Sequence, residues 1–333
     1  GSEDVEAADS GTFTVGEQDY DSLPEAVTDA KAADDKTVSL NGDAVVNLSR
    51  DLDLTGVTID CGTFQLNIVG DYESSVTVTG GIITGEGEGK YASGDLVVNL
   101  SNKVNFTETQ FAMTSNGNNS QYAIPFAAIT ISSGSTIVLD GCSFTCDTNG
   151  TFGAIQNSGD LTVKNCQMSS GIITVKSKTT IDGTEGVLLQ FVSTMAVDNS
   201  KLVLQNGSTI AQTIIGWDDS NSSYDSTHTP TNQIITTITI SQDIDLGELR
   251  SGNDQYSASK TTAGATINAN VTVYGGEGIK TVTINTGKAL IVPADETFTA
   301  TGTVTNNGSI IVNGTLDASS ATVTNNANIT VAG

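Results

Sequence analysis

The sequence predicts an all-β protein, a right-handed parallel β-helix that begins with a short N-terminal capping helix. Three observations predict this fold. The composition is rich in Thr, Ser, Asn, Gly and Val and poor in aromatic residues, which favours strands and turns over helices. Short segments of alternating apolar residues, separated by Gly, Asn and Asp, follow residue 37. Several of these segments repeat one another at short but unequal separations along the chain, which is typical of a solenoid.

The clearest repeat joins STIVLDGCSF (135–144) to GDLTVKNCQM (159–168), which begins one coil further along the chain. KVNFTETQF (103–111) has the same pattern. A second repeat lies near the C-terminus, where TVTNNGSIIV (303–312) returns as TVTNNANITV (322–331) with a period of 19. In the first repeat the equivalent pairs are Ile137 and Leu161, Leu139 and Val163, Cys142 and Cys166, and Phe144 and Met168.

A parallel β-helix accounts for repeats of unequal length. Its coils stack at the strand spacing of about 4.8 Å, so alternate apolar residues meet inside, while longer turns extend outward without disturbing the register. We expect a flexible acidic tail over residues 1–11, an N-terminal cap over 12–45 and the β-helix over 46–333. The last coil ends at TVAG (330–333) without a closing helix, which predicts an open strand edge that pairs with further chain or with a partner.

The cap contains the helix that the sequence predicts over residues 22–33. SLPE (22–25) is a capping-box pattern with proline in the first turn. The helix is either an ordinary surface helix or a lid over the open end of the β stack. The small and apolar residues at helical spacing are Leu23, Ala26, Val27, Ala30 and Ala33.

Two segments resemble a known class of proteins. FGAIQNSGDLTVKNCQMSSG (152–171) is similar to the repeats of right-handed β-helix surface proteins of the pectate-lyase-like class. VGEQDYDSLPEAVTDAKAADDKTVSLNGDAVV (15–46) resembles the cap that opens many such adhesin-like proteins in host-associated bacteria. The resemblance implies a bacterial protein that is secreted or exposed on the cell surface. Because enzymes, adhesins and passive stalks share this fold, the resemblance does not by itself imply one activity.

Charge excludes several partners. The 38 acidic and 13 basic residues give a net charge of −25, so nucleic acid and anionic membrane surfaces are not expected to bind. No apolar run approaches the roughly 20 residues that a membrane span requires. The four cysteines form no CxxC pair, and we expect neither a metal site nor a cofactor. Cys142 and Cys166 are predicted to be buried thiols on neighbouring coils, with a Cys142–Cys146 disulfide as the alternative.

The candidate binding region is the stretch near 216–257, which breaks the repeat pattern and contains the only tryptophan and histidine. Loops on a rigid scaffold commonly carry binding residues, and aromatic faces beside polar groups suit glycans or protein surfaces. A long turn whose tryptophan packs against the β-helix wall is the alternative interpretation. The predicted ligand-binding residues are Trp217, Asp218, Asp219, Tyr224, Asp225, His228, Arg250 and Tyr256.

Two enzymatic alternatives can be compared with the sequence. A polysaccharide lyase needs a strong base and Ca²⁺ held by carboxylates. SQDIDLGELR (241–250) is the nearest such cluster, and a solvated strand edge is its other interpretation. A galacturonase-like hydrolase would resemble a set that includes Gly-His-Gly and Arg-x-Lys, and both are absent from the sequence. We therefore predict no catalytic residues and a non-enzymatic adhesin-like, glycan-binding or spacer module, with a polysaccharide lyase or glycoside hydrolase as the alternative.

Overall fold

A computed structural model describes residues 12–87, 98–115, 127–146, 154–168, 171–216, 234–252 and 261–332. The predicted acidic tail, residues 1–11, lies outside this part of the chain. The chain divides into two compact units. The first unit comprises the described residues up to 172 together with 177–184, and the second comprises 173–176 and the described residues from 185 onward.

The described residues form one helix and a long series of short strands. The helix is α1 (Leu23–Ala32). The strands are β1 (Phe13–Val15), β2 (Gln18–Tyr20), β3 (Thr37–Leu40), β4 (Ala44–Asn47), β5 (Leu52–Asp53), β6 (Thr58–Asp60), β7 (Leu66–Val69), β8 (Val76–Thr79), β9 (Ile82–Gly87), β10 (Val98–Ser101), β11 (Lys103–Thr107), β12 (Gln110–Ser115), β13 (Ala127–Ile131), β14 (Thr136–Asp140), β15 (Ser143–Cys146), β16 (Ala154–Asn157), β17 (Asp160–Lys164), β18 (Ile172–Val175), β19 (Thr179–Asp182), β20 (Val187–Phe191), β21 (Met195–Val197), β22 (Leu202–Gln205), β23 (Ile210–Ile215), β24 (Ile234–Ile240), β25 (Ile244–Asp245), β26 (Glu248–Ser251), β27 (Thr261–Ile267), β28 (Asn270–Thr272), β29 (Gly276–Ile284), β30 (Ala289–Val292), β31 (Thr297–Asn306), β32 (Ser309–Val312), β33 (Thr315–Asp317), β34 (Thr322–Asn325) and β35 (Asn328–Val331).

The first unit is built from three stacked sheets. Their strand orders are β2-β1-β3-β6-β9-β12-β15, β4-β7-β10-β13-β16 and β5-β8-β11-β14-β17-β19. The chain visits the sheets in turn, so that β10, β11 and β12 form one coil and β13, β14 and β15 form the next. Equivalent strands of these two coils pair in parallel. This arrangement confirms the predicted parallel β-helix.

The interior of the first unit confirms the repeat found in the sequence. Val104 lies opposite Ile137, which lies opposite Leu161, and all three side chains are fully buried. The rings of Phe111 and Phe144 occupy adjacent rungs and stack with centroids 5.4 Å apart. Fully burying a side chain of this size stabilises a fold by about 1.5–3 kcal/mol. Repetition of such contacts from coil to coil therefore supplies much of the stability of the unit.

The N-terminal cap contains the predicted helix, two residues shorter than expected. The backbone N–H of Glu25 donates to the hydroxyl of Ser22, and Pro24 lies in the first turn, as the capping pattern predicts. The helix packs against β1, β2 and β3. In contrast to the parallel coils, β1 pairs antiparallel with both β2 and β3. The helical residues buried in this contact are Leu23, Ala26, Val27 and Ala30.

The second unit also consists of stacked parallel strands. One series runs β21-β24-β27-β29, with β31 on β29 and β34 on β31, while β20, β23 and β26 form a branch that also reaches β29. Another sheet has the order β25-β28-β30-β32-β35. The repeat near the C-terminus is in register, because Val304 lies opposite Val323 and Ile310 lies opposite Ile329. The second sequence repeat is therefore also confirmed as one coil stacked on another.

Among the described residues, two buried asparagines each connect a turn to the neighbouring coil. Asn306 is fully buried, and its Oδ1 accepts the N–H of Gly308 at 3.1 Å. Its Nδ2 donates to Asn325 Oδ1 and to the Asn328 carbonyl, both at 2.9 Å. A buried amide is tolerated only when its polar atoms are paired, and this side chain meets that condition. The Asn-x-Gly turn is thus held from both of its coils.

Asn157 makes the same pair of contacts in the first unit. Its Oδ1 accepts the N–H of Gly159 at 2.9 Å, and its Nδ2 donates to the Lys178 carbonyl at 2.9 Å. The two units therefore use one turn mechanism. It explains physically why asparagine and glycine mark the coil boundaries in the sequence.

The residues of the last described coil are more exposed than their equivalents one coil earlier. Val312 is 3% exposed, whereas Val331, directly opposite it, is 65% exposed. Val323 is 39% exposed, and its partner Val304 is 2% exposed. The same side chain in the same register thus has two environments on adjacent rungs.

Val312 and Val331 provide a matched test of the packing between coils. Val312→Ala should lower the free energy of unfolding by about 2 kcal/mol, because it removes buried methyl groups and leaves a cavity. Val331→Ala should change it by less than about 0.5 kcal/mol, as is usual for exposed sites. Urea denaturation followed by circular dichroism measures both values. Equal losses for the two variants would contradict the difference in packing.

Candidate functional site

Of the predicted ligand-binding residues, the structure describes Arg250. It lies on β26, between Ile214 on β23 and Glu277 on β29, with its side chain half-buried. Within the described ranges it forms no ion pair. The remaining members of the set lie outside the described residues, so the predicted site near 216–257 stays a prediction. These members are Trp217, Asp218, Asp219, Tyr224, Asp225, His228 and Tyr256.

The acidic cluster that precedes Arg250 is engaged in holding the backbone and the sheet. Asp243 Oδ1 accepts the N–H of Asn270 at 2.8 Å, and Asp245 Oδ1 accepts the N–H of Gly247 at 3.0 Å. Glu248 accepts a hydrogen bond from a glutamine amide on the adjacent strand. The three carboxylates bind different partners and do not converge on one point. This geometry favours the strand-edge interpretation over a calcium or catalytic site.

Aspartates cap turns in the same way throughout the described chain. Each of them accepts a backbone N–H, either two residues further along its own turn or on the neighbouring coil. In the part of the chain that the structure describes, no three acidic, histidine or cysteine side chains are grouped to hold a metal ion. Part of the acidity of the chain therefore serves turn geometry. The further capping residues are Asp43, Asp51, Asp53, Asp60, Asp71, Asp198 and Asp317.

Asp53 has the most strongly shifted carboxylate of these turns. The Thr55 hydroxyl and backbone N–H donate to it, and Lys31 lies 3.2 Å away, which together lower its pKa from 3.8 to about 2. The same kind of turn hydrogen bonding lowers the pKa of Asp71 and of Asp198. Each of these contacts favours the ionised form. Protonation of these aspartates at low pH should therefore weaken the hydrogen bonds that hold the turns.

Acidification should weaken the contribution of Asp53 in a defined pH range. Because its pKa is lower in the folded than in the unfolded chain, its stabilising effect is complete well above pH 4 and is lost as the pH falls towards about 2. Asp53→Asn, which keeps the turn geometry but not the charge, should melt below the wild type at pH 7 and together with it near pH 2. Melting temperatures across this range test the expectation, with Glu17→Gln on an exposed turn as control. A difference that persists unchanged at pH 2 would contradict it.

All four cysteines are thiols rather than disulfides, as predicted. Cys61, Cys142 and Cys166 are buried, and Cys146 is half-buried at the end of β15. The Sγ of Cys166 donates to the Leu139 carbonyl at 3.1 Å. Burial raises the pKa of Cys61, and a hydrogen bond to Cys166 together with burial raises the pKa of Cys142. The hydrogen bond with Cys142 lowers the pKa of Cys166, but burial keeps its thiol away from solvent. All three interior thiols therefore act as small packing groups.

The difference in burial predicts which thiol reacts. In the native protein we expect DTNB to modify Cys146 alone, and in denaturant to modify all four cysteines. Absorbance of the released thiolate gives the count. Cys146→Ser should remove the native reaction, whereas Cys61→Ser should leave it unchanged. Rapid native labelling in the Cys146→Ser variant would show that the interior is open to solvent.

A regular polar surface lies on the outward side of five strands of the second unit, β24, β27, β29, β31 and β34. We call it the Thr–Asn face. Consecutive strands pair in parallel without a register shift over these positions, so alternate residues on the strands form two columns, and the residues directly after the strand ends form a third. The columns are Thr237, Gly264, Thr281, Thr303 and Thr322; then Thr239, Thr266, Thr283, Thr305 and Thr324; then Ser241, Asn268, Asn285, Asn307 and Asn326.

The spacing of the Thr–Asn face follows from strand geometry. Neighbouring rungs are separated by about 4.8 Å, and alternate residues on one strand by about 6.6 Å. Five rungs and three columns therefore cover about 19 Å by about 13 Å. Apart from the buried Gly264, all the residues are half-buried or exposed, and Thr281 and Thr303 in the centre of the first column are exposed.

The threonine hydroxyl groups of the Thr–Asn face have no hydrogen-bond partners in the described part of the protein. Threonines elsewhere do pair: Thr109 donates to the Gly80 carbonyl at 2.9 Å, and Thr213 donates to the Leu246 carbonyl at 2.8 Å. The nine threonines of the face form no such bond. Each hydroxyl can donate one hydrogen bond and accept two. The face thus presents an ordered set of unused polar groups to its surroundings.

The third column is held together by its own side chains. Asn268 Nδ2 donates to Ser241 Oγ at 3.2 Å, and Asn285 Nδ2 donates to Asn268 Oδ1 at 3.1 Å. Asn326 Nδ2 donates to Asn307 Oδ1 at 2.9 Å. Each amide retains a further donor or acceptor after these bonds. The column therefore consists of two hydrogen-bonded groups, one of Ser241, Asn268 and Asn285 and one of Asn307 and Asn326, whose remaining polar atoms can still bind a ligand.

Sequence reasoning missed the Thr–Asn face, although its signal is present. The pattern Thr-x-Thr-x-Asn occurs in full at 281–285, 303–307 and 322–326, and with one substitution at 237–241 and at 264–268. The intervals between successive copies are unequal, so no fixed period aligns them. Strand pairing was needed to bring them into one surface.

The fold and the Thr–Asn face together define an all-β protein of the parallel β-helix class that displays an uncharged polar surface on one sheet. Comparison with protein-family models, curated proteins and solved structures finds no match to this chain. None of the described helical residues forms a segment long and apolar enough to cross a membrane.

Proposed function

We propose that this protein is a non-enzymatic β-helix module of a secreted or surface-exposed bacterial protein, and that it binds glycans in the manner of an adhesin. The observation that carries the proposal is the Thr–Asn face. Its threonine side chains are half-buried or exposed, and their hydroxyl groups have no partners among the described residues. Its amides keep spare hydrogen-bonding capacity, and none of its positions carries a charged residue.

The chemistry of the face suits carbohydrates. Sugar hydroxyls both donate and accept hydrogen bonds, and threonine hydroxyls and asparagine amides match them in either direction. The threonine methyl groups provide small apolar contacts for the C–H surfaces of a sugar ring. A rigid sheet also holds these groups in place, which lowers the entropy lost on binding.

Other features support the proposed location. The resemblance of the repeats and cap to pectate-lyase-like surface proteins agrees with an extracellular module. The low content of positive charge in a chain of net charge −25 disfavours nucleic acid as a partner. A module without a ligand would act as a spacer in a larger surface protein, which is the minimal form of the proposal.

The alternative is a polysaccharide lyase or glycoside hydrolase. A glycoside hydrolase of the usual kind needs a pair of carboxylates that converge on the scissile bond of the substrate. In the described region, Asp243, Asp245 and Glu248 are engaged in separate structural hydrogen bonds. The non-enzymatic proposal is therefore preferred.

A binding screen tests the proposal. The full chain should bind at least one polysaccharide or glycan on an array without forming new reducing ends or unsaturated products. Arg250→Ala should leave this binding unchanged, because Arg250 lies outside the Thr–Asn face. Loss of binding in Arg250→Ala would move the site to the region near 216–257.

The remaining outcomes of the screen are also decisive. Product formation would support the enzymatic alternative. Failure of the folded protein to bind any glycan or host matrix protein would leave only the spacer role. A circular dichroism spectrum of the same protein sample shows whether a negative result comes from folded protein.

A further inference from the structure

We propose that the Thr–Asn face binds a neutral, unbranched polysaccharide that lies extended along its columns. The inference rests on the proposed glycan-binding function and assigns both the surface and the chemical class of the ligand. It is argued from the charge, the periodicity and the hydrogen-bonding capacity of the face.

Charge selects the class of glycan. None of the fifteen positions of the face carries Asp, Glu, Lys or Arg, although the chain as a whole has a net charge of −25. An acidic polysaccharide would meet overall repulsion and would find no cation on the face to bind its carboxylates. A neutral polymer has no such cost. The ligand should therefore lack uronate, sulfate and sialate groups.

Periodicity selects the shape of the ligand. Apart from Gly264 in the first column, each column repeats its hydroxyl or amide group about every 4.8 Å, because that is the separation of paired strands. This repeat is comparable to the length of one hexose in an extended chain. A polymer lying along the columns can therefore place one sugar near each rung, whereas a branched or coiled glycan contacts only a few rungs at once.

Hydrogen-bonding capacity sets the affinity. A single neutral hydrogen bond to a sugar contributes only about 0.5–1.5 kcal/mol after water is displaced. Several rungs must act together to retain a ligand on so flat a surface. Affinity should thus rise with oligosaccharide length and level off when the ligand spans about 19 Å, the length of five rungs.

Two pairs of exposed threonines provide the test and its matched control. Thr281 and Thr303 are cross-strand neighbours in the centre of the face. Thr297 and Thr315 are likewise exposed cross-strand neighbours in the same unit, but they lie outside the three columns of the face. Replacing threonine by valine keeps the branched shape and removes only the hydroxyl.

The experiment is affinity electrophoresis of the full chain, and it measures how far each polysaccharide in the gel retards the protein. The gels contain a linear β-mannan, a mixed-linkage β-glucan, polygalacturonate or hyaluronan. We expect retardation by a neutral polymer, little affected by salt, and none by the acidic polymers. Thr281→Val with Thr303→Val should weaken binding about tenfold or more, as the loss of two hydrogen bonds implies. Thr297→Val with Thr315→Val should have no effect, and Thr281→Ser with Thr303→Ser should retain most of the binding.

Thermal melting establishes that each variant is folded. If the central valine pair does not fold, Thr303→Ala serves instead and should weaken binding about threefold or more, because it removes one hydroxyl group from the face. Two results would overturn the inference while leaving a glycan-binding function intact: preference for the acidic polymers, or unchanged binding by the central variants. Absence of binding to every glycan would remove the proposed function and this inference together.

Discussion

The stacking of inward side chains in register is the constraint on which the rest of the structure depends. Val104, Ile137 and Leu161 show it most simply, since three rungs place three buried aliphatic side chains directly over one another. The same register completes the backbone hydrogen bonds between coils. A slip of one residue would turn the apolar set outward and expose it to water. Hydrophobic burial and hydrogen bonding therefore select one alignment together.

The register of the inward side chains also determines the positions of the outward side chains. Because side chains alternate across a strand, the outward residues inherit the register that the inward residues impose. Thr283 and Thr305 face each other on the surface because Val282 and Val304 face each other inside. The buried amide of Asn306 extends this order through the turn and into the next coil. A regular binding surface thus needs no framework beyond the one that folds the chain.

The sequence predicted the features that follow from local chemistry and from exact repeats. The Ser22 cap, the coil joining Cys142 to Cys166 and the repeat near the C-terminus required only spacing and residue type. The Thr–Asn face did not emerge in this way, because turns of unequal length separate its strands. Thr239 and Thr266 are distant in the sequence but lie on adjacent rungs. Spacing and residue type in one sequence do not show which distant strands pair in the folded protein.

The distribution of charge connects the folding of the chain with its proposed role. Several aspartates lie at strand ends and in the adjoining turns, where their carboxylates accept hydrogen bonds from backbone N–H groups, as at Asp243 and Asp245. Threonines occupy the strands, where their branched side chains suit the pleated surface. The two preferences are separate consequences of local backbone chemistry, yet together they leave a strand surface without charge in a strongly acidic protein. In a module of this kind, the charged turns would favour solubility, and the uncharged strand surface would favour neutral ligands.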